Sequence, residues 1–258
     1  MTPDSFSDGG LYRDPDAAVE HALRMAEEGA DIIDVGGEST RPSGVYGETV
    51  RVSAQEEMDR VVPVIERIVQ RSGIPVSIDT TKSAVAEAAL AAGAVLVNDI
   101  SGLTFDPEIA AVTARHNAAL VVMHIQGTPE TMQIAPRYTD VVAEVRDALV
   151  LSAAQASAAG VRTIIVDPGI GFGKTTEHNL SLMKHLGECS ALGYPLLVGP
   201  SRKGFIGAVL GLPVDQRLEG TAAACAAAIL NGANILRVHD VHAMKRVASL
   251  TDAIHRAH

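Results

Sequence analysis

Tryptophan is absent from this chain of 258 residues, and aromatic residues together make up only 3% of it. Its core must be built from Ala, Val, Ile and Leu, which suits the buried parallel strands of an α/β protein, since these read as short aliphatic runs. Cysteine is almost as scarce. Cys189 and Cys225 fall in helical patterns and form no C-x-x-C pair. A disulfide framework and a cysteine metal site are therefore disfavoured, and two buried, reduced thiols are expected. Lys plus Arg number 21 against 31 Asp plus Glu, a net charge of −10 with no basic block. A nucleic-acid or anionic-membrane surface is disfavoured. Any anionic substrate has to be held by a few local cations and backbone N–H groups. No run approaches the roughly 20 apolar residues of a membrane span. The first residues lack the basic and apolar regions of a secretory signal, so a cytoplasmic location is expected.

What is present is a strict alternation. Strand-like aliphatic runs are predicted at residues 32–35, 76–79, 95–98, 120–124, 164–167, 196–199 and 235–238, each followed by a helical pattern. In the second helix Met58, Val61, Val62, Ile65 and Val69 recur at three- and four-residue steps, the signature of one apolar face. Alternating β and α predicts a parallel sheet with crossover helices. The length fits a single α/β barrel domain over 1–258. A further helix, 15–28, precedes the first predicted strand. The count therefore predicts a (β/α)8 TIM barrel that lacks its first strand at the N-terminus. An open doubly wound sheet is the alternative, disfavoured because no Gly-rich phosphate fingerprint follows an early strand.

Barrel enzymes gather their chemistry at the C-terminal ends of the strands. Here those ends carry Asp34, Glu38, Asp79, Asn98, Asp99, His124, Asp167, Arg237, His239 and Asp240, and Arg202 and Lys203 follow the run at 196–199. A single Asp at a strand end is often only a helix cap. So many polar ends on one face make that explanation weak for the set. The stretch from Asp167 to Thr175 tempts a phosphate-loop reading, but the motif G-x-x-x-x-G-K-[ST] needs Gly where Pro168 stands, and nucleotide binding is rejected. The nine histidines show no metal-binding spacing. Residues 36–53 are the longest break in periodicity, of the kind that often carries function.

These segments resemble one family. Residues 2–10, 34–42, 77–80, Asn98 with Asp99, 123–129, 167–172, Ser201 with Arg202 and Lys203, and 237–241 are similar, in order and over essentially the whole chain, to dihydropteroate synthases. The resemblance implies a transferase of folate biosynthesis, a family of sulfonamide targets. It joins 6-hydroxymethyl-7,8-dihydropterin pyrophosphate to para-aminobenzoate, giving 7,8-dihydropteroate and pyrophosphate. It also implies roles for individual residues. Asp167, Asn98 and Asp79 would bind the donor–acceptor edge of the pterin, Lys203 its carbonyl and N5, and Met123 its ring face. Arg237 and His239 would hold the leaving pyrophosphate, and Asp79, Lys203, Arg237 and His239 form the implied catalytic set. Phe6, Thr40, Arg41 and Pro42 would shape the para-aminobenzoate pocket on two closing loops. Mg2+ is the implied cofactor. The family's metal-ligating Asn stands two residues before the first-loop Thr, ahead of Thr2 and thus outside 1–258, so the metal ligands here are unknown, with Asp79 nearby. An aliphatic run ending in Asn is accordingly expected upstream of Met1 in the genomic frame. A homodimer is expected, since the Ala-rich stretch 222–228 permits close helix packing. Two rival readings are a pterin-binding methyltransferase-like barrel and a non-catalytic truncated paralogue. The Ser-Arg-Lys segment and the loop at 2–7 weigh against the first, and the retained polar set weighs against the second.

Overall fold

The computed structural model describes residues 14–38 and 52–257. Its elements are α1 (Pro15–Glu27), β1 (Ile33–Gly36), α2 (Ala54–Ser72), β2 (Val76–Asp79), α3 (Ser83–Ala91), β3 (Leu96–Asp99), α4 (Glu108–Arg115), β4 (Ala119–Met123), α5 (Val141–Ala158), β5 (Thr163–Asp167), α6 (Thr176–Lys184), α7 (Leu186–Ser190), β6 (Leu197–Val198), α8 (Gly204–Leu210), a 3-10 turn (Val214–Gln216), α9 (Leu218–Leu230), β7 (Ile235–Leu236) and α10 (Val241–His255). Every predicted strand is present to within two residues at either end.

Local chemistry accounts for the helix limits. Asp14 caps α1 by accepting from the Asp16 N–H, with Pro15 at the first helical position. Ser53 caps α2 through the Glu56 N–H, and Gly73 ends it in the left-handed region. The buried stripe of α2 is Val61, Val64, Ile65 and Ile68. The face predicted from Met58, Val62 and Val69 is thus turned slightly, and these three pack at its margin. Two connections that read as single helices are broken. His185 interrupts the run between α6 and α7. Between β6 and β7, Gly211 stops α8 and Pro213 prevents its continuation.

The strands run parallel in the order β1-β2-β3-β4-β5, with β6-β7 as a second pair. One bridge, Val166 to Leu196, joins the two sets. Alternate residues then separate into two layers. Val76, Ile78, Val97, Leu120, Val122, Ile164, Val166, Leu196 and Val198 pack outward against the helices. Leu96, Val121, Ile165 and Leu197 form a small separate cluster inside the barrel, with Ala119 and Ile235 against it. Each buried aliphatic side chain contributes roughly 1.5–3 kcal/mol.

The expected architecture is therefore present: seven parallel strands of an eight-stranded barrel. No described residue fills the strand position between β7 and β1. A cavity of about 770 Å³ runs from the barrel mouth into that position, between Ile33 and Val35 on one side and Ile235 and Leu236 on the other. Residues of α1 and α10, including Met25 and Met244, line its depth. Among the described residues no helix is long and apolar enough to cross a membrane. Cys189 and Cys225 are buried free thiols, as expected, and burial pushes their pKa values up to about 11 and about 12.

Candidate active site

Period two decides what stands in the mouth. Ile33 and Val35 of β1, and Val76 and Ile78 of β2, face the helices, which turns Asp34, Ser77 and Asp79 inward. Two residues beyond the inner Leu96 stands Asn98; beyond Ile165 stands Asp167; beyond Ile235 stands Arg237. Register sets Asp79 beside Asn98 and Met123 beside Asp167. The aliphatic interior is thus closed at its C-terminal end by a polar ring, and Asp34, Asp79, Asn98, Lys203, Arg237 and His239 all line the cavity.

Arg237 ties two carboxylates together. Its Nε donates to Asp34 Oδ2 at 2.7 Å and its Nη2 to Asp79 Oδ2 at 2.8 Å. Burial works against the charge on Arg237, but Asp34 and Asp79 outweigh it and push its pKa up. Asp79 is pushed up to about 7 by burial, which Arg237 opposes and the nearby Asp34 and Glu57 reinforce. Asn98 Nδ2 reaches Asp34 Oδ2 at 3.5 Å, a marginal distance. Asp34 Oδ1 is buried and has no hydrogen-bond partner among the described residues.

Asp167 is buried and accepts from the Gly169 N–H at 2.7 Å. Burial raises its pKa to about 6, against the pull of that bond and of Lys203, Lys174 and Arg237. Lys203, just ahead of α8, lies with its Nζ 4.2 Å from the centre of the Phe172 ring, a cation–π contact. Burial lowers its pKa to about 8 with help from Arg237, while Asp167 and Asp79 resist. Met123 is buried with Ile100, Met132 and Phe172. His239 sits beyond β7, its Nδ1 2.9 Å from Ser201 Oγ, which also accepts from the His239 N–H at 3.2 Å.

The loop carrying Lys203 is braced from behind. Arg202 occupies the left-handed region at φ 54°, a strained place for a side chain this large. Its Nε donates to Asp240 Oδ2 at 2.9 Å, its N–H to Thr221 Oγ1 at 3.0 Å, and Arg217 Nη1 donates to its carbonyl at 3.0 Å. At the other rim Lys82 bridges Glu38 and the buried Glu57, and the Val52 N–H donates to Glu38 at 3.3 Å.

The predicted residues Asp79, Asn98, Met123, Asp167, Lys203, Arg237 and His239 therefore meet at one mouth. Phe6, Thr40, Arg41 and Pro42 lie outside the described residues. Four participants carry no individual role in the sequence reading: Asp34, which is named there only as a strand end, and Phe172, Ser201 and Lys174. Asp34 was within reach, since it has the same inward parity as Asp79. Nothing local marks Lys174, whose partner His124 is 50 residues away. His124, a strand end in the sequence reading, is the other half of that contact, and burial with the Lys174 charge lowers its pKa to about 3.

The family described as "Pterin binding enzyme" matches residues 1–239 of the chain. A dihydropteroate synthase of Synechocystis is 50% identical over 258 residues, spanning 99% of this chain and 88% of that protein. The fold superposes on a Yersinia pestis dihydropteroate synthase with a sulfonamide drug complex at a TM-score of 0.94, with 42% identity, over 99% of this chain and 92% of the other. A Xanthomonas albilineans dihydropteroate synthase with 4-aminobenzoic acid gives 0.90 and 44% identity, over 100% and 91%.

Proposed function

From the premise that this chain belongs to the pterin-binding enzyme family, we propose a division of labour among its mouth residues. The chain is a transferase, and its reaction is that of dihydropteroate synthase. The dihydropterin pyrophosphate meets para-aminobenzoate, a C–N bond forms at the exocyclic methylene carbon, the C–O bond to pyrophosphate breaks, and the amine gives up one proton. The observation that supports the assignment best is the polar ring of Asp34, Asp79, Asn98, Asp167 and Arg237 closing an otherwise aliphatic barrel beneath Lys203.

A pterin offers an amino group and a ring N–H side by side. Asp167 is the buried carboxylate to accept both, giving strong and oriented binding. Asn98 and Asp79, adjacent across the β2–β3 ladder, complete the edge. Lys203 donates to the ring carbonyl and N5, and Met123 supplies an apolar face. Arg237 spends two of its five donors on Asp34 and Asp79. Its remaining N–H groups, with His239, meet the charge that develops on pyrophosphate as it leaves. No side chain has to act as nucleophile; positioning and leaving-group stabilisation carry the rate.

The resemblance implies a Mg2+ ion. Asp34 Oδ1, unpartnered among the described residues, is an oxygen of the type Mg2+ takes. However, no group of three or more His, Cys, Asp or Glu converges among the described residues, and Asp79 is engaged by Arg237. The described side chains thus form no all-protein cage for the ion, and substrate phosphates and water would have to supply most of its shell. Homodimerisation is proposed in turn. Val209, Leu210, Leu218, Leu230, Leu250 and Ile254 are exposed on α8, α9 and α10, a set of apolar side chains suited to a subunit interface. Light scattering at twice the chain mass is the expected result.

The direct assay is pyrophosphate release from the purified protein. It should require both substrates, with one product pyrophosphate per dihydropteroate. Tight pterin binding without such release on adding para-aminobenzoate would overturn the transferase assignment.

The rate should also depend on pH in a specified way. Asp167 must be ionised to accept, and Lys203 protonated to donate. Because kcat/KM reports the free enzyme, its profile for the pterin substrate should rise through about pH 6 and fall above about pH 8. A flat profile between pH 5 and 9 would remove Asp167 and Lys203 from these roles.

A further inference from the structure

We propose that Lys174 is a positioning residue for pterin recognition: its buried side-chain nitrogen gathers the backbone behind the pterin slot and thereby sets both Asp167 and Phe172. The inference rests on the reading of Asp167 as the pterin's partner.

Lys174 is 3% exposed, in a part of the molecule where an unpaired ammonium would be costly. Its Nζ lies 2.9 Å from the Phe172 carbonyl, 3.0 Å from the Gly169 carbonyl, 3.3 Å from the His124 carbonyl and 3.0 Å from His124 Nδ1. Three carbonyl oxygens and a ring nitrogen thus converge on one point. Their dipoles repel one another, and a donor nitrogen at the centre offsets that repulsion, most strongly while it carries its proton. The contact with His124 Nδ1 requires a neutral ring carrying its proton on Nε2, since the ammonium has no acceptor. The lowered pKa of His124 agrees with that tautomer.

The convergence is forced by close packing. A Cβ on Gly169 would stand 1.9 Å from the His124 oxygen, and Gly169 has φ 67°. The turn after β5 therefore lies against the segment after β4 with no side chain between them. The resulting carbonyl cage does not face pterin, but its walls do. Gly169, whose carbonyl binds Lys174, presents its N–H to Asp167 Oδ1. Phe172, whose carbonyl also binds Lys174, presents its ring to Lys203. The His124 N–H closes the frame by donating to the Asp167 carbonyl at 3.0 Å. Asn179 secures the far side, accepting from the Gly171 N–H at 2.6 Å. The Gly-rich stretch that superficially resembles a phosphate loop thus turns its lysine inward onto its own backbone and not outward to a phosphate.

The groups facing Lys174 are Asp167 from β5, Lys203 ahead of α8, Cys189 on α7 and His124 after β4. Burial lowers the Lys174 pKa to about 7, Asp167 and Cys189 oppose this, and Lys203 adds to it. Its charge in turn favours the ionised form of Asp167.

The test compares wild type, Lys174→Met, Lys174→Gln and Asp167→Asn by pterin calorimetry, steady-state kinetics from pH 5 to 9 and thermal melting. Gln retains donors for two carbonyls and serves where Met is too unstable. Each lysine variant should weaken pterin binding by about tenfold or more, the size of one lost charge-assisted contact. The KM for para-aminobenzoate should change by less than about threefold. The acid limb of the pterin kcat/KM profile should move above pH 6. A purely structural lysine would lower the melting temperature and leave the pterin affinity and acid limb in place; that result in either folded variant overturns the proposal. If Asp167→Asn itself keeps full pterin affinity, the parent reading of Asp167 fails instead, and the two failures are distinct.

Discussion

Asp167→Asn should weaken binding of the dihydropterin substrate by about 10²–10³-fold without lowering the melting temperature at pH 8. The carboxylate offers two acceptors to two adjacent donors, whereas the amide offers one acceptor and one NH2 group. One hydrogen bond is lost and a donor is set against a donor. Breaking a buried, charge-assisted pair of this kind costs roughly 2–5 kcal/mol, a range that brackets the stated loss of about 3–4 kcal/mol in affinity. The fold survives because the Asn oxygen still accepts from the Gly169 N–H. It even escapes a cost: with its pKa raised to about 6, Asp167 is held ionised at pH 8 against the preference of its buried surroundings. Stability from a group raised in this way is present at low pH and lost as pH rises through the folded value. Calorimetric titration and melting at pH 8 decide the matter. An intact affinity would remove Asp167 from the pterin slot, and a collapsed melt would make it a structural residue.

Arg237→Met should reduce kcat/KM by about 10²–10³-fold, as expected on removing a preorganised donor to a developing anion. It should also destabilise the protein, and by more at pH 8 than at pH 5. The mutation leaves Asp34 and Asp79 facing each other with no cation between them. Asp79 already sits near 7 with Arg237 in place, and it rises further without it. At pH 5 the folded protein simply keeps the proton on Asp79, and little is lost. The unfolded chain has already lost that proton by pH 5; above about pH 7 the wild type releases it beside Arg237, while the variant must keep the proton or bear an unpaired charge, so its stability falls further. Breaking a fully buried pair costs about 3–5 kcal/mol. The Arg237 side chain is 45% exposed to the cavity, so about 1–3 kcal/mol is expected at pH 8 after allowing for screening. Adding Asp79→Asn should restore the stability but not the rate. Equal losses in melting temperature at the two pH values would show that Arg237 does not neutralise this pair.

Much of this molecule was written in local chemistry. Short aliphatic runs such as Leu-Val-Val-Met at the end of β4 can be buried on both faces only in a parallel sheet under helices, and the alternation with amphipathic segments followed from that. The polar ends of the aliphatic runs mark Asp79, Asn98 and Asp167, and period two gives each one fixed facing direction along its strand. Parity does not specify neighbours. Arg237 meets Asp34 across 203 positions of chain and Asp79 across 158, contacts made only because the sheet curves and brings its distant strands to one mouth. The cage around Lys174 likewise joins the turn after β5 to the segment after β4 through backbone carbonyls, groups that every residue carries and no sequence pattern distinguishes. Residue type and facing direction are local properties, and the sequence determined them. Which charges become partners, and how far burial moves their protons, depends on closure and on exclusion of water, and those only the tertiary structure decided.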